Sequence, residues 1–199
     1  MKAPLPSNET ARLQALNKYE ILDTATESVF DDLTRLAAYI CGVPTATISL
    51  IDRDRQWLKS KIGIEVCETA RDIAFCAYGI LQIEPFIITD AQQDKRFADN
   101  PLVIAAPYIR FYAGIPLIDP DGFALGTLCV IDYVPRQLSN QQLEALVVLA
   151  RQVMTQLTLR RNLVALREST SQCQQAEKAL QQGISFQQAI LDGANYLRG

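Results

Sequence analysis

Five cysteines (Cys41, Cys67, Cys76, Cys129 and Cys173) and no histidine set the limits of the chemistry open to this chain. Without an imidazole it can build no Ser-His-Asp or Cys-His nucleophile and no His-ligated zinc or haem. A phosphoacceptor histidine, if a larger protein carries one, lies outside these residues. The odd cysteine count without CxxC spacing fits reduced, mostly buried thiols better than a disulfide frame or a zinc site. Cys67, Cys76 and Cys129 could still supply a redox pair. A reactive thiolate needs electropositive, partly exposed surroundings, and Arg71 is close to Cys76 in sequence. Cys129 reads as an inert mid-strand residue, and the plainer reading of all three is small apolar filling. Asp52, Asp54, Asp90, Asp94, Asp99, Asp119 and Asp121 read as turn or cap residues. No pair of them forms an acid–base couple, and their scatter does not make a calcium loop. There is no P-loop and no GxGxxG.

The bulk numbers remove further classes. With 199 residues, the chain can hold one domain with a sizeable core plus extensions. A net charge of −3 without a basic stripe argues against a nucleic-acid partner. Apolar runs such as Ala145 to Ala150 are too short to cross a bilayer, so no membrane is expected for this segment. Met1 to Asn8 lacks the apolar core of a signal peptide, and the chain reads as cytoplasmic.

The elements that must position these residues follow from periodicity. Residues 8 to 22 read as a leading helix capped by Asn8. Thr24 and Glu27 have capping-box spacing. A second helix then puts Phe30, Leu33, Ala37, Ile40 and Cys41 on one face and stops at Gly42 and Pro44. From Thr45 the period becomes two, with Ala46, Ile48 and Leu50 opposite Thr45, Thr47 and Ser49, as in a half-buried strand. The turn Asp52-Arg53-Asp54-Arg55 leads to a partner strand carrying Trp57, Leu58 and Ile62. Arg71 to Leu81 reads as a short helix, Phe86 to Thr89 as a strand, and Asp90 to Pro107 as irregular chain with a helical turn or two. Ile109 to Leu117 alternates at Phe111, Ala113 and Ile115. Phe123 to Asp132 alternates at Leu125, Thr127, Cys129 and Ile131. The turn Asp119-Pro120-Asp121-Gly122 joins the two strands. This order predicts an α+β domain, an antiparallel sheet with helices on one or both faces.

No glycine or proline interrupts the chain between Pro135 and Gly183. A helix over that span would run roughly 70 Å at about 1.5 Å per residue, more than one such domain can cover. Leu143, Leu146, Val147, Ala150, Val153 and Leu157 form a broad apolar face. From Leu159 the pattern narrows to a coiled-coil seam through Leu163, Leu166, Thr170, Cys173, Glu177, Leu180 and Ile184. The expectation is a homodimer paired through Leu159, Leu163, Leu166, Cys173 and Leu180. Cys173 would face its own copy, within range of an interchain disulfide under oxidation.

Five segments resemble GAF domains at the head of bacterial sensory proteins. They are Arg53-Asp54-Arg55-Gln56-Trp57-Leu58-Lys59-Ser60, Glu68 to Ala77, Asp94 to Pro101, Ile109 to Gly114 and Leu125 to Asp132. The resemblance spans roughly residues 10 to 160. It implies a GAF fold, an antiparallel sheet with helices that dimerises through terminal helices upstream of a histidine kinase, a diguanylate cyclase or further sensor modules. The domains so implied are an N-terminal helix over 1–22, a GAF domain over 23–157 and a coiled-coil signalling helix over 158–185. The tail Phe186 to Ala194 is similar to the opening of many PAS domains, so 186–199 reads as the possible start of one.

The resemblance also places a ligand pocket between the sheet and residues 67 to 81 and 90 to 108, against the strands of Phe111 and Leu125. The pocket candidates are Trp57, Arg71, Phe75, Cys76, Tyr78, Asp90, Arg110 and Tyr112. Arg71 offers a planar fork for a carboxylate or phosphate, and the aromatics offer flat apolar walls. The structural alternative is that Arg71 and Asp72 brace a helix while the aromatics fill the core. Two departures narrow the ligand, whose identity and cofactor class the sequence leaves unknown. Relatives usually carry histidine where Tyr78 stands, and bilin-binding relatives carry one directly after the cysteine, where Ala77 stands. The Asn-Lys…Phe…Asp-Glu signature of cyclic-nucleotide-binding relatives is absent. The expected function is non-catalytic: a sensory domain that binds a small ligand or partner and signals through a dimeric helix. Two alternatives stand beside it, a thiol redox sensor or GAF-type methionine sulfoxide reductase, and a ligand-free dimerisation module.

Overall fold

The structure, a computed structural model, describes the backbone of residues 2–196, with side chains through residue 181 except Ala179. The chain divides into two units, Met1–Thr158 and Leu159–Gly199.

The first unit is built on one six-stranded sheet in the order β3-β2-β1-β6-β5-β4, every neighbour antiparallel. Its strands are β1 (Thr45–Ile51), β2 (Arg55–Ile62), β3 (Glu68–Ala70), β4 (Phe86–Ile88), β5 (Phe111–Ile118) and β6 (Ala124–Asp132). The β-branched run of β1 is buried along its whole length, so both sheet faces are covered and the strand is not half-exposed. Its alternation is as expected. Ala46, Ile48 and Leu50 meet the helices, while Thr47 and Ser49 face the other layer with Cys129. Gly126 lets β6 run tight against β1, since a Cβ there would lie 1.9 Å from the Ser49 carbonyl oxygen.

Helices α1 (Glu9–Asn17), α2 (Ser28–Cys41) and the first turns of α5 (Asn140–Tyr196) cover one face. Leu16, Phe30, Ala37, Leu146, Val153 and Leu157 pack there on Ile48, Phe111, Leu125 and Leu128. Several expectations need correction. Helix α1 stops at Asn17, short of residue 22, and Asn8 makes no side-chain cap. Thr24 and Glu27 form no capping box: the Thr24 hydroxyl donates to the Ile21 carbonyl, and Glu27 accepts from Lys59. A capping box occurs instead at the start of α5. The Ser139 hydroxyl accepts from the Gln142 amide N–H, and the Gln142 side chain accepts from Ser139 N–H. Leu125 joins the helix-side core apart from Thr127 and Cys129, beside the irregularity where Ile118 pairs with Ala124.

Loops and short turns cover the opposite face. Arg71 to Leu81 is not one helix but a 3₁₀ turn (Arg71–Ile73) and, after Ala74-Phe75, α3 (Cys76–Gly79). Within Asp90 to Pro107 the helical turn is α4 (Pro101–Ile104), whose N-cap Asn100 accepts from Leu102 N–H and donates to the Ile73 carbonyl. Beneath lies an aromatic core in which Phe75 stacks on Phe97 and Tyr112, and Phe86 meets Tyr112 at a tilt. In the second unit, α5 continues through Tyr196, and Phe186 to Ala194 lie outside the residues whose side chains are described.

Candidate functional site: a cavity on the loop face of the sheet

A cavity of about 360 Å³ opens between the loop layer and the sheet. Its floor is Thr47 of β1, Leu58 of β2, Tyr112 of β5 and Ile131 of β6. Its walls are Ala74, Phe75 and Cys76 ahead of α3, Ile64 and Val66 after β2, and Leu102, Ala106, Pro107 and Ile109 around α4. Gln56 and Thr69, partners across the β2–β3 register, also line it.

Three of the eight candidates line it: Phe75, Cys76 and Tyr112. Trp57 lies on the other face of β2, buried in the helix-side core. The Arg71 guanidinium is buried and turned to structure, donating to Glu9 at 2.5 Å and to the carbonyls of Asp52 and Arg53. Asp90 and Arg110 form a two-pronged ion pair at 2.7–2.8 Å outside the cavity lining. That pairing, above all its hydrogen bonds, holds the Asp90 carboxyl below its ordinary range. Tyr78 stacks at 15° on Phe86 and meets Phe97 edge-on, at the flank of the aromatic core.

Sequence reasoning missed Gln56, Thr69 and the loop residues Ile64 and Val66. Alternation in β2 was the available signal for the first: if Trp57 faces the helices, Gln56 and Leu58 face away. A bulge opposite Ile48/Ser49 complicates that strand. It brings Lys59 and Ser60 both toward α2, where Ser60 donates to Asp31 and Lys59 to Glu27.

Cys76 and Cys129, 53 residues apart, stand Sγ to Sγ at 3.7 Å. Around them Tyr112 donates to Cys76 at 3.3 Å, Thr47 bonds Cys129 at 3.0 Å, and Thr47 bonds Ser49 at 2.8 Å. Burial opposes a thiolate at Cys76, but donors from Cys129, Thr127, Tyr112 and Ser49 outweigh it and bring the thiol down to about 7. Cys129 moves the other way, pushed well up by Cys76 and then by burial. The pair therefore holds at most one negative charge. Cys67 is separate and exposed, accepting from Lys61 at 3.3 Å. Cys41 is buried and pushed up to about 11 by desolvation. Among the described residues no cluster of His, Cys, Asp or Glu could hold a metal ion, and no helix is long and apolar enough to cross a membrane.

An antiparallel sheet with helices on one face and a loop-walled cavity on the other defines a domain of α+β class. The GAF domain family model matches residues 25–157, and the chain belongs to the GAF family, whose domains are regulatory and sensory. The chain is 40% identical over 159 residues to a cyclic di-GMP phosphodiesterase of Pseudomonas aeruginosa, covering 79% of this chain and 27% of that protein. The chain thus spans about a quarter of that relative's length. Among solved structures, it resembles the GAF domain of an Acinetobacter phosphoenolpyruvate-protein phosphotransferase (TM-score 0.54, 18% identity, 77% of this chain and 95% of that one). It also resembles a free methionine-R-sulfoxide reductase of Thermoplasma acidophilum (TM-score 0.52, 10% identity, 65% and 92%). These two likenesses establish the fold alone.

Proposed function

We propose that this chain is the non-catalytic sensory head of a larger signalling protein. A small ligand occupies the cavity beside Phe75, Cys76 and Tyr112. Occupancy favours one arrangement of loops and sheet, and a homodimer paired along α5 carries the change to an output domain in the same polypeptide. The Pseudomonas relative makes cyclic-dinucleotide turnover the favoured output.

The observation that carries the pairing is the seam on α5. Leu159, Leu163, Leu166 and Leu180 are 50%, 44%, 63% and 68% exposed in the single chain, with Cys173 exposed between them. Leucines at heptad spacing bury their side chains when two helices pair. Sedimentation equilibrium should give twice the 22.2 kDa chain mass. The double variant Leu163→Glu/Leu166→Glu should give the single mass. A wild-type monomer at high concentration removes this route of transmission.

A second reading, a thiol switch, is favoured by the 3.7 Å approach of Cys76 to Cys129. A hydroperoxide would transfer its distal oxygen to the Cys76 sulfur and leave as an alcohol. The resulting sulfenic acid would condense with the Cys129 thiol, releasing water and forming a disulfide. Peroxide-treated protein would then lose two hydrogen masses across the peptides of Cys76 and Cys129. Thiols that both still alkylate after treatment and unfolding end this reading.

A further inference from the structure

The chemistry of the cavity restricts what it can hold, and this restriction rests on reading it as the sensory site. At about 360 Å³ it lies at the small end of ligand pockets. None of its lining side chains carries a basic group or a carboxylate. The arginines nearest in sequence pair elsewhere, and none of them lines the cavity. Arg55 pairs with Asp23, Asp52 and Glu68, and Arg110 with Asp90. Arg71 pairs with Glu9 through Nη1, while its Nη2 is buried without a partner. An ionised ligand would give up its hydration here and meet no opposite charge.

The polar groups around Tyr112 are mutually engaged. Its hydroxyl donates to Cys76 and lies 3.4 Å from that of Thr127, while Thr47 is paired with Ser49 and Cys129. Gln56 and Thr69 differ. Gln56 Oε1 and Thr69 Oγ1, on register partners of β2 and β3, are shielded from solvent and have no hydrogen-bond partner. Two buried oxygens left without a donor in a lining whose other polar side chains are already paired call for one.

We propose that the cavity takes an uncharged, largely apolar ring compound bearing one N–H or O–H donor, seated with that donor against Gln56 and Thr69. The rule that sites built for a hydrogen bond discriminate against analogues lacking it sets the expected contrast.

The test uses three probes on the full chain by isothermal titration: indole, its donor-free analogue indene, and indole-3-acetate. Indole should bind about tenfold or more tighter than indene, and the carboxylate should bind at least as poorly as indene. Thr69→Val and Gln56→Leu should each bring indole toward the indene value. Ile64→Trp, placed in the half-buried wall, should fill the space and abolish binding. Equal affinity for indole and indene overturns the proposed ligand class and leaves the cavity standing as a site. Tight binding of the carboxylate, or indifference to both polar variants, does the same. Failure of every probe at millimolar concentration, or binding that survives Ile64→Trp, overturns the cavity reading itself.

Discussion

Replacing Glu9 by Gln tests whether α1, which precedes the segment matched by the family model, is an energetic part of the sensor body. Glu9 sits between two buried guanidiniums, 2.8 Å from Arg12 (side chain 1% exposed) and 2.5 Å from Arg71 (6%). Burial works against its charge, but hydrogen bonds and Coulomb attraction from Arg12 and Arg71 prevail and hold the carboxyl at about 2 against an ordinary 4.5. That displacement corresponds to ~3.4 kcal/mol at ~1.36 kcal/mol per pH unit. Glu9 is 15% exposed, and solvent screening brings the expected loss to about 2 kcal/mol. Because the folded pKa is depressed, this stability is complete above about pH 4.5 and is lost as pH falls through 2. Urea unfolding at pH 7 should separate Glu9→Gln from wild type by about 2 kcal/mol. At pH 3 roughly 60% of that gap should be gone. A gap below about 0.5 kcal/mol at pH 7, or one that does not change with pH, would refute the account of Glu9 as the clamp between α1 and Arg71.

Two further substitutions probe the frame around the cavity. Lys59 is fully buried and donates to Thr24 Oγ1 (3.0 Å), the Ala25 carbonyl (2.6 Å) and Glu27 (2.7 Å). Lys59→Met keeps the stem and removes the charge, and should cost about 2–4 kcal/mol in urea unfolding. A loss within ~0.5 kcal/mol would show that the 24–27 segment is held by other contacts. Gly126→Ala drives a Cβ to 1.9 Å from the Ser49 carbonyl oxygen. It should separate β6 from β1 and abolish the cooperative unfolding transition, and a variant with native-like stability would contradict that strand approach.

Much of the fold was legible because its signals are local. β1 and β5 alternate cleanly, Gly42 closes α2 in the left-handed conformation, and Asp119 to Gly122 has turn chemistry, confirmed by the Asp119–Gly122 backbone bond. What stayed hidden depends on tertiary pairing. β3 is a three-residue Glu-Thr-Ala strand that owes its existence to β2. Thr24 and Glu27 had the spacing of a cap, but buried Lys59 on β2 claims them both. Arg71 looked like an anion fork because its anion, Glu9, is 62 residues away. Cys129 looked inert for the same reason, its neighbour Cys76 being 53 residues distant. Plain alternation in β2 sends Gln56 to the cavity and Trp57 to the helices, but the bulge after Leu58 breaks the pattern that would have made this readable along the whole strand.

Native mass spectrometry of the chain, purified without denaturation, meets the central claim head-on. The account predicts twice the 22.2 kDa mass, with each copy carrying a small neutral molecule that is released on unfolding. A bare single-chain mass at every concentration, with nothing released, would contradict it.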